Sequence, residues 1–164
     1  MELFQTITVY FFLFVGIYFE VFILFTYLIN RKHIKADEKK SFERRTYPTV
    51  TIVVPVWNEE TTVVKTIESL LKINYPQQQL RIAIVDDGST DNTPSIIEQF
   101  KDHPQIYLHH KENGGKHTAV NYAIERSSSE FIGCLDADSE VDPDSLKKII
   151  CAFEDPHTMA VTPA

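Results

Sequence analysis

Little in this chain of 164 residues is suited to holding an anion. There are five glycines and no Gly-x-Gly-x-x-Gly run, so a nicotinamide cofactor has no support. Asn113-Gly-Gly-Lys116-His117 falls short of a P-loop, because His110 stands where the earlier glycine belongs and His117 replaces the magnesium-binding Ser or Thr. No Gly-x-Ser-x-Gly elbow marks a serine nucleophile. The two cysteines, Cys134 and Cys151, match no metal spacing and sit in apolar settings, which reads as buried reduced thiols. Positive charge is scarce where a nucleic acid would need it: residues 46–164 carry nine basic and eighteen acidic side chains, a balance of −9 that would repel a polyphosphate backbone. Any anionic ligand of this part requires a local counter-charge. There is no internal repeat and no low-complexity tract.

What the chain does have begins with an apolar run. Residues 7–29 are nearly all Phe, Ile, Leu, Val and Tyr. As a helix they would span roughly 35 Å at about 1.5 Å per residue, enough for a bilayer core of about 30 Å. No basic residue precedes the run and no small-x-small cleavage site follows, so the reading is a membrane anchor (1–30) and not a cleaved signal. Arg31, Lys32, Lys35, Lys39, Lys40, Arg44 and Arg45 follow it, giving residues 31–45 a balance of +4 and residues 31–47 the character of a basic juxtamembrane linker. The positive-inside rule then places everything after the anchor in the cytoplasm. Glu20, inside the run, either faces a protein or water-lined interface or is tolerated protonated.

From residue 48 onward the pattern alternates between two periods. Residues 49–56, 80–85, 106–108 and 131–135 are β-branched or apolar strands, the last reading as a buried one, with a fifth starting at 159–161. Between them lie helical spacings: Val63, Val64, Ile67, Leu70 and Leu71 after an Asn58 cap; Ile96, Ile97 and Phe100 after Thr93-Pro94; Ala119, Val120, Tyr122, Ala123 and Ile124; and Leu146, Ile149, Ile150 and Phe153. The fold class is α/β, a mostly parallel Rossmann-like sheet with helices on both faces, preceded by one transmembrane helix. In such a sheet the strand ends share one edge, which gathers Asn58, Glu59, Asp86, Asp87, the Gly114-Gly115-Lys116 turn, Asp136 and Asp138 into one cleft.

At least four carboxylates and one lysine cannot hold a diphosphate unaided. A Mg²⁺ or Mn²⁺ ion on Asp136 or Asp138 would convert the site, since hard cations take oxygen ligands and keep positions for substrate phosphates. Of Asp136 and Asp138, one can reach a metal while the other meets a sugar hydroxyl; a solvated acidic loop is the plain alternative. Lys116 adds a charge at a helix N-terminus, and Asp86 is suited to reading a base or ribose. Asp91 serves the turn or caps the next helix, and His109 and His110, on opposite sides of a strand, share no metal.

Thr51-Ile-Val-Val-Pro-Val-Trp-Asn-Glu-Glu60, Ile84-Val-Asp-Asp-Gly-Ser-Thr-Asp91, Asn113-Gly-Gly-Lys-His-Thr-Ala-Val-Asn121 and Leu135-Asp-Ala-Asp138 resemble, in order and spacing, the nucleotide-sugar half of family 2 glycosyltransferases. The membrane-bound processive branch is the most similar: synthases of hyaluronan, chitin, cellulose and poly-N-acetylglucosamine. The resemblance implies a GT-A fold over 48–164, inversion at the anomeric centre, a UDP-sugar donor, a divalent metal (Mn²⁺ or Mg²⁺) and a carbohydrate or lipid-linked acceptor. It implies that Pro55 and Glu59 line the nucleoside pocket, that Asp86 bonds the uracil, that Lys116 lies near base and phosphates, and that Asp136 and Asp138 serve ribose and metal. The general base and the acceptor-binding half are expected beyond Ala164. A nucleotide-sugar-binding fragment without activity and a polyprenyl-phosphate sugar transferase are the alternatives.

Overall fold

The computed structural model describes residues 1–37, 46–154 and 157–162, which fall into two units, 1–41 and 42–164. The first is a single helix, α1 (Glu2–Asp37), which continues past the apolar run into the stretch read as linker. Its segment Phe4–Ile29, 26 residues long, is apolar and long enough to cross a membrane, and none of it is buried in protein. Lys39, Lys40, Arg44 and Arg45 of the basic linker lie outside the described residues.

The second unit is built on β1 (Val50–Val56), β2 (Leu80–Asp86), β3 (Ile106–His110) and β4 (Phe131–Cys134). All pairings are parallel, in the order β3-β2-β1-β4. The connecting helices are α2 (Val63–Leu71), α3 (Thr93–Ile97) and α4 (Lys116–Arg126), with α5 (Ser145–Ala152) after β4. Strand alternation divides the core. Ile52, Val54, Val56, Ile82 and Ile84 turn to one face and meet Val63, Ile67 and Leu70 of α2, Ile97 of α3, and Leu146 and Ile150 of α5. Val53, Ala83 and Val85 turn to the other and meet Ala119 and Ala123 of α4. The parallel sheet with helices on both faces is as the residue pattern implies.

Several local expectations are corrected. Residues 131–135 are not a buried strand: β4 is the sheet edge and alternates half-buried and exposed, because α4 packs over β1 and β2 and leaves that face of β4 uncovered. For the same reason Cys134 is exposed, and Cys151 on α5 is half-buried. Ile124 is likewise 42% exposed, on the outer side of α4. Residues 159–161 form no strand. Asn58 does not cap α2; it takes a left-handed φ of 55°, Thr62 precedes the helix, and the Asn58 Oδ1 accepts from Thr90 N at 2.8 Å instead.

Ile67 lies fully buried between α2 and the sheet. Replacing it by alanine is expected to cost about 2–5 kcal/mol. Ile124→Ala, on the exposed side of α4, should stay within about 0.5 kcal/mol. Denaturant unfolding of the full chain in detergent, followed by near-ultraviolet dichroism, checks the contrast; equal losses would mean that the core has been placed wrongly.

Candidate active site

Beyond the carboxyl ends of β1, β2 and β4 opens a cleft of about 450 Å³, lined by Pro55, Val56, Trp57, Glu59, Asp87, Asn113, Gly115, Lys116, Asp136, Ala137 and Asp138. Each strand delivers its part through the turn that follows it. After β1 the chain leaves the sheet at Trp57 and Asn58, where Ser89 Oγ accepts from Asn58 N at 2.9 Å and Thr93 Oγ1 from Glu59 N at 2.9 Å. Glu59 Oε2 accepts from Thr62 Oγ1, which holds that carboxylate at the start of α2.

After β2 the two aspartates part. Asp86 is buried away from the cleft lining: Ser89 N donates to its Oδ1 at 3.0 Å, and His110 Nδ1 stands 3.0 Å from its Oδ2. Asp87, equally buried, reaches the cleft and accepts from the backbone N–H groups of Gly114 at 3.0 Å and Gly115 at 2.7 Å, and from the ammonium of Lys111. Lys111 in turn donates to Thr118 Oγ1 at 2.9 Å. This buried carboxylate therefore shapes the Asn113-Gly-Gly turn. Gly88 (φ +73°) completes the arrangement, since a Cβ there would lie 2.8 Å from Asn113 N. Gly115, with φ +91°, immediately precedes α4 and its first residue, Lys116.

The fourth arm follows β4. Ala137 is buried and its carbonyl accepts from Thr66 Oγ1 of α2 at 2.8 Å, which pins the middle of Asp136-Ala137-Asp138. Ser139 N closes onto Asp136 O at 3.1 Å, so the segment is a turn and not an extended strand. Both exposed carboxylates line the same cleft. Lys116 Nζ bonds Asp136 Oδ1, and that bond holds the lysine pKa above its ordinary value. Because both side chains are more than half exposed, the pair contributes about 1 kcal/mol or less and yields readily to a ligand.

Of the residues singled out from sequence, Pro55, Glu59, Lys116, Asp136 and Asp138 converge on the cleft, and Asp86 stands behind it. Sequence reasoning left Asp87 and Trp57 without a role. The signal for Asp87 lay in the doublet itself, since of two adjacent carboxylates at a strand end one must point each way. His109 and His110 do diverge: His109 meets the Tyr122 ring at 5.3 Å, whereas His110 joins Asp86 and, through Nε2 at 3.6 Å, Glu98. Asp91 serves the turn as expected, its Oδ1 accepting from Thr93 N at 2.9 Å.

The family model for Glycosyl transferase family 2 matches residues 51–164. The chain belongs to that family. A poly-β-1,6-N-acetyl-D-glucosamine synthase of Staphylococcus epidermidis is 33% identical over 152 residues, 92% of this chain and 36% of the relative. A β-monoglucosyldiacylglycerol synthase of Synechocystis is 33% identical over 114 residues, 67% of this chain and 24% of the relative. The family 2 chain thus spans about a third or less of the length of these curated relatives. Among solved structures, S. aureus TarS 1–349 in complex with UDP superimposes with a TM-score of 0.59 at 28% identity, over 66% of this chain and 32% of that one. The mannosyltransferase PcManGT of Pyrobaculum calidifontis, in complex with GDP-Man and Mn²⁺, gives 0.63 at 28%, over 79% and 40%. The fold is GT-A.

Burial alone would raise the Asp87 pKa, but the hydrogen bonds from Lys111, Gly114 and Gly115 and the Lys111 charge outweigh it, and the pKa lies below the ordinary carboxylate value. A depressed folded-state pKa contributes stability above the unfolded pKa of about 3.9 and loses it as pH falls through the folded value. Asp87→Asn is expected to cost about 1–3 kcal/mol at neutral pH. The gap to wild type should close as the pH is lowered below about 4. Thermal melts across that range test this; a gap independent of pH would exclude the ionised carboxylate as its origin.

Proposed function

We propose that the protein transfers a sugar from a nucleotide-sugar donor, a UDP-sugar, with inversion, to a growing polysaccharide or glycolipid, and that residues 48–164 bind the donor. The observation that carries this reading is the convergence of Pro55, Glu59, Lys116, Asp136 and Asp138 on one 450 Å³ cleft in a family 2 chain. The nucleoside lies along Pro55 and Glu59, with the exposed Trp57 ring beside it and Asp86, steadied by His110, behind the turn that reads the base. The names of the neighbours agree with a nucleotide donor, one being a UDP complex and another a GDP-Man complex with Mn²⁺.

Asp136 and Asp138 suit a hard divalent cation, Mg²⁺ or Mn²⁺, because both offer exposed carboxylate oxygens on the cleft. Such an ion, when bound, offsets the charge of a leaving diphosphate. The remaining work falls to this chain. Lys116 exchanges its exposed Asp136 partner for a phosphate oxygen, and the α4 N-terminus beneath it, held by Asp87, favours the same anion. The turn at Ala137, pinned by Thr66, keeps the two carboxylates in place. The apolar helix anchors the chain in a membrane, and the basic residues after it set the cleft on the cytoplasmic face.

Titration calorimetry of the full chain in detergent should give UDP binding that requires Mn²⁺ or Mg²⁺. Asp138→Ala is expected to weaken it about tenfold or more, as loss of a charge-assisted contact would. Lys116→Gln should weaken UDP more than uridine, since it contacts phosphate. Equal UDP affinity in wild type and Asp138→Ala without any metal would exclude the metal assignment.

A further inference from the structure

On the α4 face of the sheet, apart from the donor cleft, lies a second cavity of about 70 Å³. Arg81 of β2, Tyr107 and His109 of β3, Arg126 of α4, Ser127 and Thr51 of β1 line it, over a floor made shallow by Ala83 and Ala123. No carboxylate is among the lining residues, although acidic side chains outnumber basic ones two to one in residues 46–164. Two arginines therefore line the same space in an acidic domain.

Their existing contacts leave most of their donors available. Arg81 meets no carboxylate among the described residues; its Nη1 donates to Ser128 Oγ at 3.2 Å, and its guanidinium lies 5.7 Å from the Tyr107 ring centroid. Arg126 stacks on Tyr122 at 3.5 Å, donates to Tyr122 O at 3.1 Å, and approaches the exposed Glu125 at 3.7 Å. A guanidinium carries five N–H donors in a fixed fork. The aromatic rings hold both forks in place before any ligand arrives. Hydroxyls complete the wall: buried Thr51 Oγ1 lies 2.9 Å from Ser127 Oγ and 2.8 Å from Ser129 Oγ, in a set of rotors that can present a proton outward. Burial, then the charges of Arg126 and His110, keep the His109 pKa below its ordinary value.

We propose that this cavity is a second anion site, which binds the phosphate monoester group of a ligand between Arg81 and Arg126. The space, about 70 Å³, is small enough to select one compact anion over a larger ligand. A purely structural account has Arg126 capping the C-terminal carbonyls of α4, where a cation is favoured. That account uses one donor of Arg126 and does not involve Arg81, which lines the same cavity from β2. The same phosphate chemistry is offered by free inorganic phosphate and by the monoester headgroup of phosphatidic acid, which a membrane-anchored domain could meet.

The test uses the full chain in nanodiscs of phosphatidylcholine, titrated calorimetrically with inorganic phosphate at millimolar concentrations. One phosphate should bind per chain, with affinity reduced about tenfold or more by Arg81→Gln and by Arg126→Gln, as expected for loss of a charged hydrogen bond. Arg81→Lys, which keeps the charge but not the fork, should lose part of it. Melting temperatures of the variants establish that they are folded. Repeating the titration in nanodiscs containing phosphatidic acid separates the sources: suppressed phosphate binding identifies the lipid headgroup, and unchanged binding identifies the free anion. No phosphate binding to wild type, or binding that both folded glutamine variants retain in full, overturns the proposal.

Discussion

A carboxylate placed underneath a glycine turn organises this domain. Asp87 leaves β2 at the level where the sheet ends, and the N–H groups of Gly114 and Gly115 have no regular partner of their own at that point in the chain. Burying an anion there would be costly alone. The ammonium of Lys111 and two oriented N–H groups make it favourable, and the same contacts fix where α4 begins. Lys116 consequently stands on the cleft because of a residue that touches it nowhere. Gly88 lets the turn after β2 come within contact of Asn113, so the two turns share one packing unit.

The remaining arms follow the same logic, with a neighbouring helix or turn holding each one from behind. Thr66 on α2 steadies Ala137, Thr93 on α3 steadies Glu59, and Ser89 steadies Asn58 in its left-handed conformation. The cleft-facing groups themselves, Lys116, Asp136 and Asp138, are exposed and lightly partnered. Support is buried and chemistry is left at the surface, which keeps the positions fixed while the contacts stay exchangeable.

The architecture was legible because β-branched runs and helical spacings alternate without ambiguity between residues 49 and 126, and the strand-end rule then located the cleft. Period alone could not tell an edge from a centre. Residues 131–135 read as buried because their composition is apolar, yet burial there depends on whether a helix lies over that strand, and α4 packs chiefly over β1 and β2. The same gap misplaced Cys134 and, on the outer side of α4, Ile124. Asn58 misled for a different reason: its side chain bonds the neighbouring turn at Thr90, a partner 32 residues away that no local cap rule contains. The Asp136-Ala137-Asp138 turn escaped notice because the anchoring Thr66 lies 71 residues earlier.

The pairing of Val50 with Phe131 has a temporal side. β1 occupies the middle of the sheet, yet one of its two neighbours is synthesised some 80 residues after it. At about 5–20 residues per second, β1 waits several seconds on the ribosome with one ladder unfilled. During that interval β3, β2 and β1 can assemble with α2, α3 and α4, and the Asp87 turn can close, but Asp136 and Asp138 have not yet been translated. The turns after β1 and β2 are thus the early part of the cleft, and the acidic turn after β4 joins them later.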